Sequence, residues 1–280
     1  MQAPDYAAWI GRTECVTDFV TADKVRGLLA TLDHDTIEIG QGDPLPPLAH
    51  WMFTNPIVAM RGLGRDGHPA RGGFLPPVSL PRRMWAGSRI EFERPLRVGE
   101  PVERRSEILA VEPKHGSTGA LVFISVRHEY ASPSGGRLVE FQDIVYREDP
   151  RPGAPAASRT EPAPPAAQIA RKLTPEPTML FRYSALTFNG HRIHYDLPYA
   201  REVEGYPGLV VHGPLLATLM VDLVRRMRPD AIILGFRCAG RRPVIAGEEI
   251  EVGAVQAGEG WDTRVIAGGA VASAGHVTLG

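Results

Sequence analysis

Nine residues recur in this chain at an offset of 148 positions. Arg94-Pro95-Leu96-Arg97-Val98-Gly99-Glu100-Pro101-Val102 and Arg242-Pro243-Val244-Ile245-Ala246-Gly247-Glu248-Glu249-Ile250 share one pattern: Arg-Pro, apolar, any, small apolar, Gly-Glu, any, apolar. Apolar residues flanking a Gly-Glu step mark a turn between two strands. The copies lie at similar depth in the two halves of a 280-residue chain, so the chain reads as a duplication. Between the halves, residues 148–167 hold six prolines and almost no large apolar side chain. That composition describes an extended, solvated linker. The expected organisation is a first unit at 1–147, a linker at 148–167 and a second unit at 168–280.

Each unit reads as strands plus one main helix. In the first, Val25, Leu28, Leu29 and Leu32 give a helical spacing over 22–32, and alternating runs follow at 87–93, 102–111, 120–130 and 137–146. In the second, the run from Pro214 to Met227 is apolar nearly all round for ten residues. A helix of that kind is wrapped by a sheet and does not lie on one. Strand-like runs follow it at 231–237, 248–255 and 263–272. The expected class is α+β, a curved antiparallel sheet around a buried helix, built twice.

Composition narrows the partners. A net charge of −1 favours neither nucleic acid nor a membrane surface. Cys15 and Cys238 make no metal or redox spacing. The first five residues show no signal-peptide pattern, and no apolar run approaches the 18 or so residues of a membrane span. The expectation is a cytoplasmic protein, either a monomer that is already a pseudo-dimer or a homodimer.

The chemistry concentrates in one stretch. Between Asn189 and Asp196 the chain places an amide, two histidines and a carboxylate within eight residues. Val210-Val211-His212-Gly213-Pro214 then opens the apolar helix. A group that moves protons, close to a helix N-terminus that stabilises negative charge, points to acid/base work on a carbonyl compound.

These residues resemble the MaoC-like, R-specific enoyl-thioester hydratase/dehydratase family. Its motif runs Asp-any-Asn-Pro-apolar-His-any-Asp, then an aromatic residue and Ala, and later His-Gly at the start of the central helix of a hotdog fold. His194, Asp196, Tyr199, Ala200, His212 and Gly213 fall on it in order. The whole chain resembles the members with two hotdog units, which implies a degenerate first unit and a catalytic second one. One position departs: Asn189 stands where the family has its catalytic aspartate. An amide can orient a water but cannot take its proton at neutral pH. The run Phe-Asn-Gly-His-Arg-Ile-His-Tyr-Asp resembles the branch that hydrates C4 and C5 dicarboxylic acyl-CoAs such as mesaconyl- or itaconyl-CoA, giving citramalyl-CoA. It also resembles mitochondrial dehydratases acting on carrier-protein thioesters.

The resemblance implies roles. His194 is the acid/base group, Asn189 holds the water, His191 assists, and the Gly213 N–H donates to the thioester oxygen. Arg182, Arg192, Arg237 and His212 are the candidates for binding substrate. The plainer readings are a structural His194, a turn-ordering His212, an Asp196 that caps the following short helix, and surface arginines. The expected reaction needs neither metal nor organic cofactor, since coenzyme A is part of the substrate. The alternatives are a 3-hydroxyacyl-carrier-protein dehydratase, a thioesterase and a non-catalytic hotdog partner subunit.

Overall fold

A computed structural model describes residues 6–36, 38–116, 119–149 and 166–280. Residues 1–5 and residues 150–165 of the expected linker lie outside the described residues. The first half builds β1 (Thr13–Phe19), α1 (Ala22–Thr31), β2 (Arg82–Arg94), β3 (Pro101–Gly116), β4 (Gly119–Ala131) and β5 (Arg137–Arg147). The second builds β6 (Ile169–Leu173), α2 (Pro177–Leu186), α3 (Gly213–Met227), β7 (Ile233–Gly240), β8 (Ile250–Ala257), β9 (Gly260–Ala267) and β10 (Ala270–Leu279). The expected strand at 263–272 is in fact the facing ends of β9 and β10, parted by a turn at Gly268 and Gly269, both at positive φ.

All ten strands join one antiparallel sheet in the order β1-β3-β4-β5-β2-β7-β10-β9-β8-β6. Read from either end, the order is the same once β1 to β5 are matched with β6 to β10. At the seam Arg89 pairs with Arg237, and these two residues are themselves 148 apart. A local two-fold axis therefore passes through that pair. The repeated nine-residue pattern forms the turns β2–β3 and β7–β8, with Gly99 at φ 86° and Gly247 at φ 87°, backbone that glycine adopts without strain. The incoming chain docks on each turn alike. The Leu45 N–H donates to the Leu96 carbonyl at 2.7 Å, and the Val211 N–H donates to the Val244 carbonyl at 2.8 Å.

That matched docking shows where the halves part company. Counting on from Leu45 and Val211, Pro46 and Pro47 occupy the places of His212 and Gly213. A residue before proline is pushed out of the helical region, and proline offers no N–H. Leu48 then takes left-handed backbone (φ 69°), and the chain manages only a 3-10 turn at Ala49–Met52. The expectation of a long buried helix in each unit is therefore corrected. The first-half helix α1 is the counterpart of α2, since each follows an edge strand and the two pack together. Among the described residues only α3 is central, and Leu215 to Val224 are buried without interruption. One core surrounds it with side chains from both halves, including Leu28, Ile90, Leu138, Phe236, Val252 and Val265. Within α3, buried Asp222 is answered by Arg226 at 2.7 Å and His34 at 2.6 Å.

The inner faces of the halves differ accordingly. Phe236 and Gly275 of the second half correspond to Ser88 and Glu140 of the first, because Ile90 pairs with Glu140 as Cys238 pairs with Gly275. Phe236 fills the space over Gly275, where an added Cβ would come within 2.9 Å of its ring. Among the described residues no helix is long and apolar enough to cross a membrane. Removing the Phe236 ring is expected to cost about 3–5 kcal/mol of unfolding free energy. Truncating its exposed neighbour Arg237 to Ala should change it by about 0.5 kcal/mol or less. Urea unfolding of both variants checks this, and equal losses would contradict the assignment of faces.

Candidate active site

The second half forms its part of the site through a series of tight turns after α2. Phe188 takes left-handed backbone (φ 49°), and the Asn189 N–H then reaches the Ser184 carbonyl at 2.9 Å. Asn189 Oδ1 accepts the His191 N–H at 3.0 Å, which closes an Asx-type turn. A 3-10 turn at Arg192–His194 follows. Asp196 ends it: Oδ1 accepts the Tyr199 N–H at 3.1 Å, and Oδ2 takes two bonds from the Arg192 guanidinium at 2.9 and 2.7 Å. This is a cap on the π-helical turn Tyr199–Val203, the structural role that Asp196 suits.

His194 is fixed by the segment that leads into α3. The Val210 N–H donates to the Ile193 carbonyl at 2.9 Å, and the Val210 carbonyl lies 2.6 Å from His194 Nδ1. A carbonyl can only accept, so Nδ1 carries the hydrogen and Nε2 keeps its lone pair. Among the described residues Nε2 has no hydrogen-bond partner. Three residues beyond Val210, Gly213 opens α3. Its first-turn N–H groups are the positive end of a helix 15 residues long. Trp85 of β2 packs on Gly213: a Cβ built there would lie 2.6 Å from the indole.

The first half contributes a loop. Gly67 (φ 86°) meets Gly190 back to back, and a Cβ on Gly67 would fall 2.0 Å from the Gly190 carbonyl oxygen. Two glycines in register allow this contact. The Arg192 N–H then donates to the Asp66 carbonyl at 2.9 Å, and the Arg192 guanidinium reaches the Arg65 carbonyl at 3.1 Å. The result sets His68, hydrogen-bonded to Asp66 at 3.2 Å, against His191.

Four imidazoles now stand in a row. Ring centroids are 4.3 Å apart for His68 and His191, 5.4 Å for His191 and His194, and 3.6 Å for His194 and His212, which are stacked. Burial, reinforced by His212 and His191, pushes the His194 pKa well below its ordinary value. Burial and His191 push His212 down to about 3. Burial and the Arg83 charge do the same to His68, also to about 3. His212 Nε2 is 2.8 Å from Ser184 Oγ, while its Nδ1 is buried without a partner. The carboxylates behave oppositely. Burial raises Glu204, but His191 and Arg82 outweigh it, with Arg82 Nε 2.9 Å away, so the group stays ionised. Burial likewise raises Asp66, and the His68 hydrogen bond and charges outweigh it.

Of the residues singled out from sequence, His191, His194, His212 and Gly213 come together here, with Asn189 shaping the turn beneath them. The three arginines do not join them. Arg182 lies exposed on α2 and reaches the Ala30 carbonyl at 3.5 Å. Arg192 is held by Asp196 and stacks on Tyr199 at 4.2 Å. Arg237 points out of the convex face, opposite in direction to Phe236 and Cys238. Sequence reasoning passed over Asp66, His68, Arg82, Trp85, Ser184 and Glu204. The one readable signal was Gly64-Arg65-Asp66-Gly67-His68, an acid and an imidazole set among glycines. Ligand atoms of Asp66, His68 and His191 lie within 4.8 Å of one another, a spacing compatible with a metal. Within the trio His68 hydrogen-bonds to Asp66, and the nearby Arg83 charge acts on both of these groups.

Residues 48–245 match the hydroxyacyl-thioester dehydratase type 2 family. The chain is 46% identical over 246 residues to mesaconyl-C(4)-CoA hydratase of Chloroflexus aurantiacus, covering 87% of this chain and 86% of that one. It is 30% identical over 209 residues to the mitochondrial hydroxyacyl-thioester dehydratase type 2 of Schizosaccharomyces pombe, covering 66% and 69%. Among solved structures, a MaoC-like dehydratase from Phytophthora capsici superposes with a TM-score of 0.69 at 14% identity over 96% of both chains. A Mycobacterium tuberculosis protein with a double hotdog fold gives 0.57 at 14% identity, also over 96% of both. The ten-stranded sheet around α3 is thus a double hotdog, and the chain belongs to the hydroxyacyl-thioester dehydratase type 2 family.

Proposed function

We propose that this protein adds water across the 2,3 double bond of a short enoyl-CoA thioester, with mesaconyl-C4-CoA as the best-supported substrate. The observation that carries the reading is the pairing of a neutral, tautomer-fixed His194 with the N-terminus of α3 three residues past its Val210 anchor. Kinship to a mesaconyl-C(4)-CoA hydratase over most of both chains supports the substrate. The fungal relatives support the same chemistry in the dehydrating direction on other acyl thioesters.

Each step uses a group already placed. His194 Nε2 takes a proton from a water whose oxygen bonds to the β-carbon. The electron pair of the double bond moves toward the thioester, and the Gly213 N–H stabilises the charge that gathers on its oxygen. His194 then returns the proton to the α-carbon, so the net change is one water added. Asn189 Oδ1 retains a second lone pair beyond the His191 N–H, and its amide hydrogens can hold the water. Nothing in this sequence of steps calls on a metal or an organic cofactor.

Among the described residues the first half has no such site of its own. Pro47 stands at the Gly213 position and has no N–H to offer an oxyanion. One active site per chain is the consequence.

Hydration is read from loss of enoyl-thioester absorbance and an 18-dalton gain in product mass, using crotonyl-, mesaconyl-C4- and itaconyl-CoA (water adds about 18 mass units). His194→Ala is expected to lose about 10²–10⁴-fold in kcat with the fold intact by circular dichroism. A folded His194→Ala variant within tenfold of wild type would remove His194 from the mechanism. Failure of all three CoA thioesters in the wild type would move the assay to carrier-protein substrates.

The pH profile follows from the direction of the His194 shift. The neutral imidazole is the active form, and its folded pKa lies below the ordinary value. Activity is therefore expected to be level from about pH 8 down through about 6.5, the unperturbed histidine value, and to fall only below it. An acid limb centred near 6.5, with the fold intact, would contradict a buried His194 as the base.

A further inference from the structure

The first half carries a buried carboxylate that the proposed chemistry does not use. Glu140 is fully buried, and three donors converge on it. Ser88 Oγ donates to Oε1 at 2.6 Å, the Trp51 indole N–H donates to Oε2 at 2.9 Å, and His50 Nε2 lies 3.2 Å from the same oxygen. Burial raises the Glu140 pKa, but the donors and the charges of His50 and His128 outweigh it and hold the group down at about 2. Ser88 Oγ also accepts from the Trp85 indole N–H at 3.1 Å. One carboxylate thus fixes two indoles, Trp51 directly and Trp85 through Ser88. The rings meet edge to face at 6.4 Å.

Trp85 ends this relay on the active site, because its ring covers Gly213. An acyl group whose thioester oxygen reaches the Gly213 N–H lies against that ring. Beyond it is the first-half interior, where Ser88 and Glu140 replace the Phe236 and Gly275 that pack around α3. A long alkyl chain would need the indole displaced and would then meet a desolvated carboxylate, an unfavourable surface for methylene groups.

We propose that Trp85 is the specificity-determining residue that closes the acyl pocket, and that Ser88 and Glu140 are the positioning residues that hold it there. The proposal rests on the hydratase reading and names its selectivity: acyl chains of four or five carbons are admitted and longer ones excluded. Three different tests apply to it.

Wild type, Trp85→Ala, Trp85→Leu and Ser88→Ala are compared on crotonyl-CoA and 2-octenoyl-CoA. Trp85→Ala is expected to raise the ratio of kcat/KM for the long over the short substrate at least tenfold, with Trp85→Leu in between. Ser88→Ala should raise the same ratio about threefold, with the change carried by KM. Calorimetric binding of the saturated analogues butyryl-CoA and octanoyl-CoA gives a readout that needs no turnover. Wild type should favour butyryl-CoA, and Trp85→Ala should narrow that preference at least tenfold. A long-to-short ratio unchanged in the folded Trp85 variants overturns the proposal while leaving hydration standing. Chain-length discrimination in binding that depends on Trp85, in a protein that hydrates nothing, would support the pocket and sink the hydratase reading instead. Equal affinity of the wild type for both analogues, or for neither, overturns the pocket.

Discussion

A single helix has to serve both halves of one ten-stranded sheet. α3 is buried along ten successive residues, and the side chains that cover it come from both halves of the chain. Most of what is particular to this protein follows from that asymmetry. The five-and-five sheet is closed into one structure because neither half could bury its inner face alone. Among the described residues α3 is the one helix at the centre of the core, so the proposed charge-stabilising site exists once. The long connection from Ala49–Met52 to β2, relieved of forming a helix, is free to carry Asp66 and His68 across to the other half.

The duplication makes the loss traceable to particular residues. Gly99 and Gly247 take nearly the same positive φ in the two turns, and the chain docks on both through equivalent N–H to carbonyl bonds. Immediately afterwards one copy reads Pro46-Pro47 and the other His212-Gly213. Two consecutive prolines remove the helix start and the N–H together. The inner strand face then changed character as well, with Ser88 and Glu140 where the other half keeps Phe236 and Gly275. A polar pair is tolerable there because Trp51, His50 and Trp85 satisfy it, so it stabilises geometry without adding to the apolar core.

Much of this was legible from residues in order. The repeat located both β-turns, the all-round apolar run located α3, and the His194 to Gly213 motif marked side chains that the fold brings together in the candidate site. Short segments with little periodicity were missed: β1 and β6 are edge strands, and α2 lay under a stretch read for its chemistry. The outward direction of Arg237 follows from simple alternation with Phe236 and Cys238, yet nearness in sequence to the motif concealed it. Asp66 and His68 were beyond reach for a different reason. They sit in a glycine- and proline-rich connection without a register, more than a hundred residues from His191. Their place depends on the back-to-back contact of Gly67 with Gly190, which no local pattern encodes.

Asn189 in place of an aspartate raises the question of which group can take a proton. Two carboxylates are near, and both are committed. Glu204 is held ionised by Arg82 and His191 and receives the Tyr199 hydroxyl at 3.3 Å. Asp66 is held far below its usual range by His68 and Arg83. A carboxylate stabilised in its charged form is a weak base, because protonating it forfeits those interactions. The imidazoles differ in the same terms. His68 is bonded to Asp66, His212 to Ser184, and His191 Nε2 faces Glu204 at 3.8 Å without a hydrogen bond. Among the described residues only His194 combines a fixed tautomer, a lone pair on Nε2 free of protein partners and a position beside the α3 N-terminus. In the proposed mechanism the stacked His212 makes it costly for both rings to be charged at once, which favours passing the proton onward to the substrate carbon over keeping it. On that proposal base and acid are two moments of one imidazole.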